Sequence, residues 1–159
     1  MSEPEERDGA AVQLPPPFVP VIALVLGAGM QYFVWPLPTP FSGPARYTVG
    51  SALFVTGLVM MFAAFNQFQR TGQDPKPWLS TPEIIAVGIY KWTRNPMYLS
   101  MGFLQGGIGV LFSNTWMVAL VPVTWGVIYA IAIRHEEAYL ENKFGSSYVS
   151  YKNTVRRWM

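Results

Sequence analysis

Residues 97–133, MYLSMGFLQGGIGVLFSNTWMVALVPVTWGVIYAIAI, carry no charged side chain, and in the middle stand the turn formers Ser113 and Asn114. So short a link obliges the apolar arms 97–112 and 115–133 to run antiparallel as a helical hairpin. Gly102, Gly106 and Gly109 on the first arm, with a GxxxG pair at 102 and 106, permit close approach of the second. The hairpin returns residue 133 to the level at which residue 97 begins. Arg94, Asn95 and Tyr98 are therefore expected beside Arg134, His135, Glu136 and Glu137.

Two further runs free of charge precede the hairpin, at 18–35 and 47–69. A helix crossing a bilayer needs about 20 mostly apolar residues, so 97–112 is short and borrows a turn from its flanks. The composition agrees: 51% of the 159 residues are hydrophobic and 13% charged, which is unlike a soluble domain. The expected fold class is an all-α integral membrane protein. It has about four transmembrane helices, a C-terminal helical hairpin and a cytoplasmic amphipathic C-terminal helix. Three regions follow: 1–14, a disordered N-terminal tail; 15–69, two transmembrane helices; and 70–159, a C-terminal region holding the polar clusters.

Of the eleven Lys and Arg residues, only Arg46 falls on the far side of a four-span arrangement with both termini together. The loaded side is then cytoplasmic, making the chain a multi-pass membrane protein with cytoplasmic termini. The net charge of +2 reflects this topology and anionic lipid, with no nucleic-acid partner implied. The first ten residues include four acidic ones and no signal-peptide pattern. Cysteine is absent and histidine occurs once, which excludes disulfides, thiolate ligands and multi-histidine metal sites.

Polar groups thus gather at the mouth of an apolar hairpin. Interface anchoring by Lys91 and Arg94, capping by Asn95 and simple solvation of Glu136 and Glu137 would also account for them. In the tail, Tyr148, Tyr151, Val155 and Trp158 recur at helical spacing between Lys152, Arg156 and Arg157. That pattern suits a helix lying on an anionic membrane surface, or one closing a pocket. QGGIG at 105–109 follows no strand and is not a dinucleotide-binding loop.

From RTGQDPKPW (70–78) through GIYKWTRNPMYL (88–99) to RHEEAYLENKFGSSYVSYKNTVRRW (134–158), the chain resembles the isoprenylcysteine carboxyl methyltransferases. It is similar as well to their bacterial, phospholipid methyltransferase-like relatives. Gly88 and Tyr90, then Arg94, Asn95, Pro96 and Tyr98, then Glu136 and Glu137, then Phe144, Gly145, Tyr148 and Tyr151 match the family pattern in order. The resemblance implies an integral-membrane enzyme using S-adenosylmethionine on a lipophilic or amphipathic small acceptor. It implies cofactor contacts at Glu83, Ile84, Ile85, Tyr90, Asn95, Pro96, Met97, Tyr98 and Glu136, with Glu136 and Arg134 as candidate catalytic residues and no metal. Asn95 stands where the eukaryotic enzymes have histidine, so it can hydrogen-bond but cannot titrate near neutrality. Prenylcysteine-directed members carry an arginine four residues before the glutamate matched by Glu136. Ala132 stands there, which argues against a prenylcysteine carboxylate acceptor. Glu137, about 100° further round the helix than Glu136, is expected to tolerate substitution better. Two alternatives remain at this point: a reductase like the C-terminal membrane region of sterol reductases, using a nicotinamide cofactor, and a non-catalytic membrane scaffold.

Overall fold

A computed structural model describes residues 9–12, 14–40 and 42–158. Among these, all regular structure is helical: α1 (Phe18–Val34), α2 (Pro44–Thr71), α3 (Pro96–Leu111), α4 (Thr115–Phe144) and α5 (Ser146–Thr154), with a 3₁₀ turn at Gly88–Lys91. Each charge-free run of the sequence is a helix. Two of the helices, α2 and α4, are long and apolar enough to cross a membrane, whereas α1 is shorter. The 28 residues of α2 extend about 42 Å, beyond the roughly 30 Å of a hydrocarbon core. Only 17% of its apolar stretch is buried within the protein, so it is not the core helix of a soluble domain. Val55, Val59 and Phe62 on α2, like Val21, Ile22, Val25 and Leu26 on α1, present their side chains outward.

Small residues set the packing. Gly50, Gly57 and Ala64 form the buried stripe of α2, and a Cβ added at Gly50 or Gly57 would come within 2.7 Å of Leu111 or 2.8 Å of Leu104 on α3. Gly107 of α3 approaches the α2 backbone so closely that a Cβ would lie 2.6 Å from Phe54 N. On the other side of α3, Gly102 receives the Trp125 indole, at 2.3 Å from an added Cβ, and Gly109 receives Val118 at 2.8 Å. Both of these partners belong to α4, which therefore lies along the glycine face of α3. Gln105 on that face is buried, but both halves of its amide are satisfied: Nε2 donates to Met117 O (2.9 Å) and Oε1 accepts from Thr124 Oγ1 (2.8 Å). A polar residue between two apolar helices thus ties them without an orphaned group.

The turn between α3 and α4 is built around Asn114. Its backbone N–H donates to Gly109 O (2.7 Å), its Oδ1 accepts from Met117 N (3.0 Å), and its Nδ2 donates to Gly27 O of α1 (3.1 Å). One buried asparagine therefore caps α4 and fastens α1 to it. Beyond the apolar stretch, α4 does not stop. A wider π turn at Tyr129–Ile133 leads directly into Arg134–Phe144, so the polar segment is carried on the same helix.

Of the expected N-terminal tail, residues 1–8 and 13 lie outside the described residues. Gly9 to Val12 pack against the protein: Ala10 N donates to Pro77 O at 2.9 Å, and Ala10 and Val12 are buried with Val19, Met101, Ile128, Ala132 and Ile133. Position 132 is thus filled into a core. The C-terminal helix also departs from the surface-lying expectation. Tyr148 and Val155 are buried, Tyr151 Oη donates to Tyr90 O at 2.8 Å, and the Trp158 ring stacks 5.8 Å from Trp125. The aromatic face of this segment is covered by protein, against the loop before α3 and the end of α4.

Candidate active site

The segment entering α3 is held from both sides. Pro96 begins the helix, and Asn95 occupies the cap position without capping: its Nδ2 donates instead to Arg157 O (3.3 Å), as Thr93 Oγ1 does (2.9 Å). Arg94 N donates to Arg156 O at 2.9 Å. The C-terminal strand of residues after α5 therefore clamps Thr93–Asn95 in place, and the capping role open to Asn95 in the sequence is not the one it takes.

Behind this clamp lies a buried ionic cluster. Glu137 accepts two parallel hydrogen bonds from Arg157, Nε to Oε1 and Nη2 to Oε2, both at 2.9 Å. Arg94 Nη1 approaches Glu137 Oε1 to 3.1 Å, close enough for an ion pair but without hydrogen-bond alignment, and both Arg94 Nε and Nη1 lack a hydrogen-bond partner. The hydrogen bonds to Glu137 raise Arg157 above its already high ordinary pKa, keeping it cationic. Its guanidinium also lies 4.9 Å over the Tyr129 ring.

One helical step away, Glu136 is half-buried and accepts a hydrogen bond from Tyr98 Oη. Trp125 Nε1 donates to Tyr98 O at 3.2 Å, so the indole seated on Gly102 also steadies the tyrosine that meets Glu136. The seating of Trp125 of α4 on Gly102 of α3 thus bears on the geometry of the acid.

These groups open into a cleft that is partly open to solvent. Glu83, Ile84, Ile85, Tyr90, Asn95, Pro96, Met97, Tyr98 and Glu136 all line it. Arg134 does not. It is exposed, and its Nε donates to His135 Nε2 at 3.3 Å. Two positions before Glu136, it stands about 200° away round the helix and points elsewhere. Arg94, Glu137, Tyr148 and Tyr151 line it too, and Phe68 and Gln73 at the end of α2 and just beyond it, which the sequence did not single out, complete it. The phenols of Tyr90 and Tyr148 are pushed up by burial, Tyr148 to about 12, and remain neutral. Such neutral aromatic walls suit an organic ligand carrying its own charges. Among the described residues, no group of three or more acidic or histidine side chains could hold a metal ion.

Glu137 was expected to be the more tolerant member of the glutamate pair. It is nevertheless the buried one of the two, paired with Arg94 and Arg157. The signal available in the sequence was the presence of two arginines, Arg94 and Arg157, with no other acid in the converging clusters than the glutamate pair.

Comparison with known proteins places the chain in a family. A protein-S-isoprenylcysteine O-methyltransferase of Saccharomyces cerevisiae is 32% identical over 103 residues, which cover 63% of this chain and 41% of that protein. The Homo sapiens protein of the same name is 30% identical over 122 residues, covering 65% and 39%. An uncharacterized protein of Haemophilus influenzae is 37% identical over 65 residues, covering 40% of this chain and 100% of that protein. The chain spans about two fifths of the length of the isoprenylcysteine methyltransferases it matches. No solved structure is significantly similar to it. The phospholipid methyltransferase profile matches residues 45–147, from the start of α2 to the first turn of α5. That match embraces α2 and α3, whose glycines set the helix packing, and the whole glutamate-bearing extension of α4, and the chain belongs to the phospholipid methyltransferase family.

Proposed function

We propose that the chain is an S-adenosylmethionine-dependent membrane methyltransferase acting on a lipophilic or amphipathic small acceptor at the cytoplasmic membrane face. In this reading α1 to α4 are four spans, α3 and α4 form the hairpin, and both termini are cytoplasmic. The observation that carries it is the cleft where the apolar helices end. There Glu136 meets Tyr98, and the buried polar atoms of Gln73 and Arg94 Nε await partners. Burying such groups unpaired is costly, so they fit a ligand rich in complementary charge and hydrogen-bonding groups.

S-adenosylmethionine fits that set. Glu136 would hold its hydroxyls or ammonium, Arg94 its carboxylate, and Tyr90, Asn95, Pro96, Met97 and Tyr98, with Glu83, Ile84 and Ile85, would wall it. When bound, it supplies a methyl group activated on a sulfonium. The protein's part is to bind, align and exclude water. Tyr98 fixes the Glu136 carboxylate, the Thr93–Asn95 clamp fixes the wall opposite, and the tyrosines keep the surroundings apolar. Holding reactants about 3 to 3.5 Å apart in line can supply much of such a rate without acid or base catalysis. No cation enters the cleft from position 132, because Ala132 is wholly buried in the core. A prenylcysteine carboxylate therefore lacks a partner there and is not the preferred acceptor.

Calorimetric titration of the purified protein tests this reading. S-adenosylhomocysteine is expected to bind and NADPH not to. The reverse result would make the protein a reductase, and binding of neither would make it a scaffold. Lipid mass spectrometry of cells with and without the protein would then identify the acceptor as the class that gains one methylene unit.

A further inference from the structure

α2 ends in a left-handed glycine, Gly72 (φ 66°), whose N–H donates to Gln69 O at 3.2 Å while Gln73 N–H donates to Phe68 O at 2.9 Å. This paired closure leaves the backbone of Gln73 little freedom and turns its side chain into the cleft, where the residue is 8% exposed. Both ends of the amide, Nε2 and Oε1, are buried without a hydrogen-bond partner. Among the described residues it is the neutral side chain whose donor and acceptor are both left over. A leucine or methionine would fill the same space without that penalty. The Gln105 amide, by contrast, is buried and fully paired inside the protein.

The neighbours of Gln73 narrow what completes it. Phe68, whose carbonyl it bonds, meets the Tyr90 ring edge-on at 6.0 Å, and Pro75 and Pro77 add flat apolar surface to the same cleft. The nearest charges in sequence, Asp74 and Lys76, pair with each other at 3.3 Å and are largely solvent-exposed. The buried charges, Arg94 and Glu137, are carried instead by the α3 entry and by α4. An uncharged planar group with a donor beside an acceptor suits the Gln73 part of the cleft. Adenine has that edge: its exocyclic amine stands next to a ring nitrogen, and a glutamine amide pairs with the two at once.

Resting on the methyltransferase reading, we infer that Gln73 is the adenine-recognising residue of the cofactor site, its amide pairing with the 6-amino group and an adjacent ring nitrogen. The charged end of the cofactor then extends toward Arg94 and Glu136. Gln73 touches no acceptor, so it sets affinity and base selectivity for the cofactor without a part in the transfer chemistry.

Calorimetry with S-adenosylhomocysteine and with its analogue carrying hydrogen in place of the 6-amino group tests this. Wild-type protein is expected to bind the analogue about 10-fold more weakly, the loss of one buried pairing. Gln73→Leu is expected to bind S-adenosylhomocysteine about 10- to 100-fold more weakly and to discriminate little between the two ligands. The melting temperature of ligand-free Gln73→Leu should be unchanged or raised, since an unpaired amide is replaced by an apolar side chain. A merely structural glutamine would lower it. Equal affinity of the wild-type protein for the two ligands overturns the inference without recourse to any variant, and so does full discrimination by a folded Gln73→Leu. Both results leave the methyltransferase reading standing. Failure of the wild-type protein to bind either ligand overturns that reading, and this inference with it.

Discussion

Glu136 and Glu137 are adjacent in sequence and differ in task because a single helical step turns them toward different partners. Glu136 faces the cleft with one tyrosine for company, whereas Glu137 faces inward to two guanidinium groups. Glu136→Ala should leave the fold intact and weaken S-adenosylhomocysteine binding by about 1.5 to 3 kcal/mol, the range for hydrogen bonds to a charged group. Unchanged affinity in a folded variant would remove Glu136 from the site. Glu137→Ala strands Arg94 and part of Arg157 without their counter-charge. Because the Glu137 and Arg94 side chains are largely buried, loss of one partner should cost about 3 to 5 kcal/mol of stability. Thermal denaturation in detergent measures it, and a variant melting with the wild type would show the cluster to be dispensable. The solvent-facing part of Arg157 makes the lower end of that range the expectation.

Between elements, the glycines of α3 decide how closely two neighbours can approach, and they are not equivalent. An alanine at 102 would place its Cβ 2.3 Å from the Trp125 ring, while at 106 the nearest atom, of Val121, is 3.7 Å away, an ordinary contact. Gly102→Ala should therefore destabilise the protein by about 1 to 3 kcal/mol through overpacking, and Gly106→Ala should be neutral or slightly stabilising as a helix-favouring change. Melting temperatures of the two variants provide the comparison, and equal effects would contradict the packing described. Displacing Trp125 also loosens the indole N–H that holds Tyr98 O, so Gly102→Ala should weaken cofactor binding as well. The clamp on the α3 entry works in the same way across elements. Its carbonyls, Arg156 O and Arg157 O, come from the far end of the chain.

For the molecule as a whole, the distribution of basic residues and the apolar outer faces of α1 and α2 combine into one topological expectation. A reporter fused after Met159 should score cytoplasmic, and one inserted near Ser42 should score external. Arg46, the one basic residue of that opposite end, donates from Nη1 to Ser113 Oγ at 3.0 Å, joining the start of α2 to the α3–α4 turn. The opposite reporter pattern would put the cleft on the side that a cytoplasmic cofactor cannot reach, and would overturn the proposed function together with the topology.

Much of this was legible along the chain. Charge-free runs are where helices must satisfy their own backbone groups, so α1 to α3 and the start of α4 could be placed within a few residues, and the short link at Ser113 and Asn114 forced the α3 entry and the glutamate pair to the same end. The nine residues for which the family resemblance implies cofactor contact all line one cleft. What pattern and spacing could not decide is the direction in which each side chain leaves its helix and what the chain termini lie upon. The π turn at Tyr129–Ile133 and its continuation set Glu137 toward Arg94 and turned Arg134 outward. Docking of residues 155–158 against Thr93–Asn95 drew the aromatic face of α5 into the protein, and Gly9 to Val12 closed over Ala132. These contacts join residues some 60 or more positions apart, as Thr93 and Arg157 are. Local periodicity reports only which face of a helix is apolar, and membrane lipid and protein interior are apolar alike. Which of the two covers a given face is settled only when the whole chain has packed.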